Sequence, residues 1–193
     1  MPQLIVIYGA PFSGKSSLAG QVARSLPGKT AVVSVDQLLR GAIVVPDNDA
    51  DAELEMVHIQ LRLLTANYLK NRYNVVVEGP FLFERHGRVI DYQAEIGQLV
   101  ALMRQLIQGQ LIVYLEAPDD ATSQRARDAG REDQAAAALC LRDAYEKTRY
   151  AGHALRLDSQ TKLLPCVATD RPTVKNVLLE LLYSIIKEME SGK

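Results

Sequence analysis

The stretch Leu4 to Ser17, LIVIYGAPFSGKSS, constrains this chain more than any other. From Gly9 to Ser16 it satisfies G-x-x-x-x-G-K-[ST], a spacing that sets backbone amides, one lysine and one hydroxyl around a polyphosphate. The run before it, Leu4 to Tyr8, is leucine, β-branched or aromatic throughout, as in a strand buried on both faces of a parallel sheet. Gly9 and Gly14 permit the sharp turn that must follow and let peptide N–H groups approach an anion closely. From Lys15 onward, Leu18, Val22 and Leu26 recur at helical spacing, so the positive end of a helix points at the loop. Gly9, Ala10, Pro11, Phe12, Ser13, Gly14, Lys15, Ser16 and Ser17 together form the expected phosphate cradle. Lys15 is suited to bridging β- and γ-phosphates, and the Ser16 hydroxyl is a hard oxygen ligand for Mg²⁺.

Beyond the loop, apolar strands and amphipathic helices alternate, which predicts an α/β fold with a parallel sheet covered on both sides. The second strand, Thr30 to Val35, ends at Asp36, on the rim where ligands of such sheets collect. That carboxylate is a candidate base. A loop is expected over Gly41 to Asp51, then a helix over Ala52 to Lys70 with Leu54, Val57, Leu61, Leu64 and Tyr68 toward the core. Glu55, His58, Arg62 and Thr65 form a polar stripe on another face, either solvated or, through Arg62 or His58, holding a phosphate acceptor. The third strand, Val75 to Val77, ends in Glu78, a candidate Mg²⁺ ligand at the same rim. FLFERHGR, Phe81 to Arg88, combines aromatic and basic groups and suits an acceptor-pocket wall that includes Arg85 and His86.

Helical periodicity is expected to resume from Val89 through Ile107, followed by a fourth strand, Leu111 to Leu115. The polar segment after Pro118 carries Arg125, Arg127 and Arg131; arginines on a mobile cover could neutralise the charge that phosphoryl transfer develops. A helix over Gln134 to Tyr150, a fifth strand at Ala154 to Leu157 and a last helix from Thr173 complete the pattern.

Composition narrows the classes. A length of 193 residues fits one domain. The formal charge of −1 gives no electrostatic reason to expect a nucleic-acid backbone as the main partner. Cys140 and Cys166 sit in no C-x-x-C pattern, and no apolar run approaches a membrane span of roughly 20 residues, so a soluble protein of the reducing cytoplasm is expected, its oligomeric state open.

On Gly9 to Ser17, Ser34 to Asp36, Val75 to Pro80, Tyr114 to Pro118 with Arg125 to Arg127, and Leu155 to Asp158, the whole chain resembles the P-loop kinases of small molecules, the group of shikimate kinase, gluconate kinase, chloramphenicol phosphotransferase and the zeta-toxin kinases. The resemblance implies a three-layer P-loop fold over residues 1–193, five parallel strands in the order 2-3-1-4-5, and an arginine-bearing lid at about 119–134. It implies ATP and Mg²⁺ as cofactors and γ-phosphate transfer to a hydroxyl of a small molecule. Lys15, Asp36 and Arg127 or Arg131 then fall in the catalytic roles, Arg125 near the nucleotide, and Asp36, Arg40, His58, Arg62, Glu78 and Arg85 toward the acceptor. Asp36 and Arg40 are four apart where 5′-hydroxyl polynucleotide kinases typically show three, which weakens a nucleic-acid acceptor. A nucleotide, nucleotide-sugar or nucleic-acid 5′-hydroxyl acceptor, or a nucleotide-binding switch or scaffold with little transfer activity, are the alternatives.

Overall fold

The computed structural model describes residues 2–41, 50–85, 87–116, 119–148, 154–158 and 163–164. In chain order these form β1 (Gln3–Tyr8), α1 (Lys15–Ser25), β2 (Thr30–Ser34), α2 (Val35–Gly41), α3 (Ala50–Lys70), β3 (Asn74–Gly79), β4 (Leu82–Arg85), β5 (Arg88–Asp91), α4 (Ala94–Met103), β6 (Gly109–Glu116), α5 (Asp119–Asp128), a single 3-10 turn (Glu132–Gln134), α6 (Ala135–Thr148), β7 (Ala154–Asp158) and β8 (Leu163–Leu164). The expected final helix from Thr173 lies outside the described residues.

The α/β fold with a parallel sheet is present, but its strand complement departs from the five expected. The main sheet has six strands in the order β2-β3-β1-β6-β7-β8, and β4 pairs with β5 in a separate hairpin. Neighbours from β2 through β7 run parallel, while β8 returns antiparallel to β7. The extra strands are only two to four residues long. Such pieces carry too few alternations for a period-two signal to register. Likewise, the helix expected from Val89 gives way to β5 and starts only at Ala94.

The central strands read as uninterrupted apolar runs because both of their faces are covered. Leu4, Val6, Val75 and Val77 face one layer with α3, α4 and the hairpin; Ile5, Ile7, Val76 and Val113 face the other, against Leu18, Ala19 and Val22 of α1. Leu64 of α3, expected in the core, is 36% exposed. Among the described residues no helix is long and apolar enough to cross a membrane.

One tether joins the first layer to the hairpin. The Tyr145 hydroxyl on α6 accepts bonds from the backbone N–H groups of Phe81 (2.7 Å) and Leu82 (2.9 Å), where the chain leaves β3 for β4. Burial pushes the phenol well above its ordinary range, the two N–H donors only partly opposing the shift. Replacing Tyr145 with Phe keeps the ring against Tyr8 and Tyr114 but strips two buried donors of their acceptor. A loss of about 2–4 kcal/mol is expected in urea unfolding. A change within a few tenths would mean the two donors find water.

Candidate active site

The register of the sheet brings the carboxyl ends of three strands level. Ser34 pairs with Glu78, Ile7 with Glu78 and Tyr8 with Gly79, so the loop after β1, the helix after β2 and the end of β3 share one rim.

The loop after Tyr8 is shaped by its glycines. Gly9 lies so close to β6 that a Cβ there would sit 2.2 Å from the Leu115 carbonyl oxygen. Gly14 has φ 96° and opens α1, and Phe12 has φ 60° despite its side chain, a conformation that L-residues adopt only under local constraint. The turn is closed by the Ser13 N–H donating to Ala10 O (3.3 Å), and α1 begins with the Leu18 N–H donating to Gly14 O (3.0 Å).

Inside this turn Lys15 is 5% exposed, and its Nζ donates to Ala10 O at 2.8 Å. Burial lowers its pKa from the usual lysine value, while the negative charges of Asp36 and Glu78 pull it back upward. Lys15 therefore lies within electrostatic reach of both carboxylates. Glu78 is buried at 3% exposure, and the Ser16 hydroxyl donates to its Oε2 at 3.1 Å. Two hard oxygen ligands thus stand side by side at the positive end of α1, a donor set that fits Mg²⁺. Ser17 is exposed beside them.

Asp36 does not terminate a strand. β2 stops at Ser34, and Asp36 lies in the first turn of α2, where the helix dipole favours a carboxylate. Ser34 caps that helix by accepting the Gln37 N–H at 3.4 Å. The sequence does hold this signal, since Ser34 and Gln37 have capping-box spacing. Behind Asp36, Gly79 permits the crossing of β3 and α2: a Cβ at that position would fall 2.5 Å from Val35 Cβ.

The arginines after β6 divide. Arg125 on α5 reaches the loop itself, its Nη1 donating to the carbonyls of Phe12 and Ser13 at 3.1 Å each. Arg127 is exposed and donates to Gln124 within its own helix at 2.8 Å. Arg131 follows the end of α5, its backbone N–H donating to Ala126 O at 2.9 Å.

The acceptor candidates are less gathered. Arg62 is ion-paired with Glu95 of α4 and donates to Gln98 at 3.1 Å. Arg85 on the hairpin pairs with Glu53 of α3 at 3.1 Å. Arg40 is exposed in the last turn of α2, and His86 lies outside the described residues. His58 belongs to neither a solvated face nor an open pocket wall. It is 3% exposed and stacks on Tyr92 at 4.5 Å between ring centroids, with Phe81 and Phe83 nearby. Its Nδ1 bonds Leu54 O at 2.6 Å, and burial depresses its pKa, so the neutral ring with a proton on Nδ1 is favoured. Thr65 is fully buried as well, while Glu55 of the same stripe is exposed.

Comparison with known proteins gives a consistent result. A family model described as an AAA domain matches residues 4–152. Among solved structures, the chain is similar to a sugar kinase from a Janibacter species, at TM-score 0.54 and 13% identity over 98% of this chain and 95% of that one. It is also similar to a gluconokinase from Sinorhizobium meliloti, at 0.52 and 16% over 100% and 98%. A shikimate kinase from Acinetobacter baumannii, solved with shikimate, matches at 0.50 and 16% over 97% and 94%. At these identities the likeness is one of fold, which the chain shares with these three kinases. No curated protein matches the chain significantly.

Proposed function

This chain belongs to the AAA-domain family, whose model covers residues 4–152, and from that premise we propose that it is an ATP- and Mg²⁺-dependent phosphotransferase that moves the γ-phosphate to a hydroxyl of a small molecule in the cytoplasm. The observation that carries the proposal is the meeting of Lys15, Ser16, Asp36 and Glu78 on one rim: Ser16 bonds Glu78, and the lysine feels both carboxylates. A binding switch needs the loop and the hydroxyl; it has no need of a second carboxylate in the first turn of α2.

In this scheme the loop Gly9 to Ser17 and Lys15 hold the phosphates, and Ser16 with Glu78 would hold the metal. Mg²⁺, when bound there, supplies positive charge against the phosphate oxygens. Asp36 orients the acceptor hydroxyl and takes its proton as the acceptor oxygen bonds to phosphorus and the bond to the departing ADP oxygen breaks. Residues 119–134 act as the lid, with Arg125 on the loop side and Arg127 or Arg131 neutralising the transferring group. Arg40, Arg62 and Arg85 are assigned to the acceptor side; His58, expected there from the sequence, is not, because it is buried against Tyr92, Phe81 and Phe83. Arg62 and Arg85 would exchange Glu95 and Glu53 for an anionic acceptor group.

Acceptor-stimulated ADP release across sugars, sugar acids, nucleosides and aminoglycoside-like alcohols tests the proposal. Tight ATP binding with no stimulation by any alcohol would overturn it. Once an acceptor is found, Asp36→Asn should lower transfer by about 10²–10⁴-fold while changing ATP affinity little. Equal losses in both would make Asp36 structural.

A further inference from the structure

At the opposite end of the sheet from the phosphate loop lies a cavity of about 540 Å³, within the size range of small-molecule sites. Its floor is the start of β3, and its walls are the turn between α1 and β2, the end of α3 and the segment after α4. Lys29, Lys70 and Arg72 line it, and among the described residues that do so none is acidic. In a chain of net charge −1, such a one-sided grouping is not a by-product of overall basicity.

The plainest alternative use for cations here is to cap helix carbonyls, and the structure assigns that task elsewhere. At the end of α3 the Asn71 N–H and side-chain Nδ2 both donate to Asn67 O, the Arg72 N–H donates to Leu69 O, and the Tyr73 N–H to Tyr68 O. Arg72 sits at φ 62°, the left-handed position that closes a helix and that glycine usually fills. The backbone and Asn71 therefore close the helix, and no bond or ion pair to another described residue engages the guanidinium. Lys29 rests over the Tyr73 ring, 5.6 Å from its centroid. The partial negative charge of a helix end is about half a unit, so even the three ends that border the cavity, those of α1, α3 and α4, leave the three cations in excess.

The floor is rigid and already satisfied. Asn74 accepts the Gln3 N–H at 3.0 Å, donates from Nδ2 to Pro27 O at 2.9 Å, and its N–H donates to Lys29 O at 2.8 Å. What the cavity offers a ligand is thus positive charge on a fixed polar base. We propose that it is a second anion site, distinct from the phosphate loop, that takes a small phosphorylated molecule through Lys29, Lys70 and the planar fork of Arg72. It stands independently of the catalytic proposal.

The test is a titration of the full chain, with a non-hydrolysable ATP analogue saturating the phosphate loop, by pyrophosphate and by glucose 6-phosphate, followed through amide NMR shifts. Saturable shifts are expected at Gly28, Lys29, Arg72 and Asn74 with at least one probe, at a Kd of about 1 mM or below. In the charge-reversed pair Lys70→Glu and Arg72→Glu, both exposed positions, that affinity should fall at least about tenfold while the response of Gly14 and Lys15 amides to the analogue is unchanged. Absence of saturation with both probes, shifts that persist in the charge-reversed pair, or equal shifts from sodium chloride at matched ionic strength would each overturn the proposal.

Discussion

Replacing Lys15 with Ala is expected to abolish acceptor-dependent ADP release, by about 10²–10³-fold or more, and to leave the melting temperature almost where it was. Both halves follow from the same side chain. In transfer, the lysine is a preorganised positive charge aimed at the phosphates, and nothing else inside the loop can replace it. In folding, it is a buried amine whose burial already works against its charged form. Its bond to Ala10 O is not that carbonyl's sole one, because the Ser13 N–H also donates there. Removal relieves desolvation, which outweighs the attraction to Asp36 and Glu78 that is lost with the charge, and leaves Ala10 O and Glu78 each with a hydrogen bond, so a stability change within about 1 kcal/mol is expected. ADP-release assays and thermal circular dichroism, run on the same preparation, read the two effects separately. Transfer at the wild-type rate would remove the loop from the mechanism.

The second large effect is structural. Gly9→Ala should cost about 4 kcal/mol or more and take nucleotide binding with it. The new methyl would lie 2.2 Å from Leu115 O and 3.3 Å from Ser13 Oγ. The first neighbour is backbone of the central strand beside β1 and cannot rotate away. Either β1 and β6 part at their carboxyl ends or the loop shifts, and in both cases the cradle loses its shape. Urea unfolding and binding of a fluorescent ATP analogue would show the joint loss. A Gly9→Ala protein that binds nucleotide as tightly as wild type and unfolds at the same urea concentration would mean that the loop has room the structure does not show. The contrast with Lys15→Ala, where catalysis fails and the fold stands, separates chemistry from scaffold.

How much of this could be read from residues alone depends on whether the signal was local. The loop, its flanking strand and α1 are spelled out within a few turns of chain, and spacing suffices. The buried strands declare themselves as apolar runs. Asp36 was visible as an acid near the rim, but its place in a helix was encoded in Ser34 and Gln37, a capping pattern masked by the strand it ends. The fate of the α3 polar stripe was not legible. Thr65 is buried, and so is His58, because Phe81, Phe83 and Tyr92 cover it, partners that are far off in sequence. Periodicity says which residues share a face; it does not say what will be laid upon it. The same holds for Arg62 and Arg85, whose carboxylate partners sit 33 and 32 residues away. Arg125 is the most distant case, reaching loop carbonyls more than a hundred residues earlier.

The approach of Gly79 to Val35 makes these two positions one heritable unit. Any side chain at 79 meets both Cβ and Cγ2 of Val35, at 2.5 and 2.9 Å. An alanine at 35 would still present the nearer of those atoms. Only glycine there clears both, and it would empty a fully buried position directly before Asp36. A side chain at 79 alone is thus a clash, a smaller residue at 35 alone is a hole, and the double change trades one for the other. Sequence drift has no smooth route through this pair, so the spacing between the strand bearing Glu78 and the helix bearing Asp36 should be among the slowest features of the molecule to diverge.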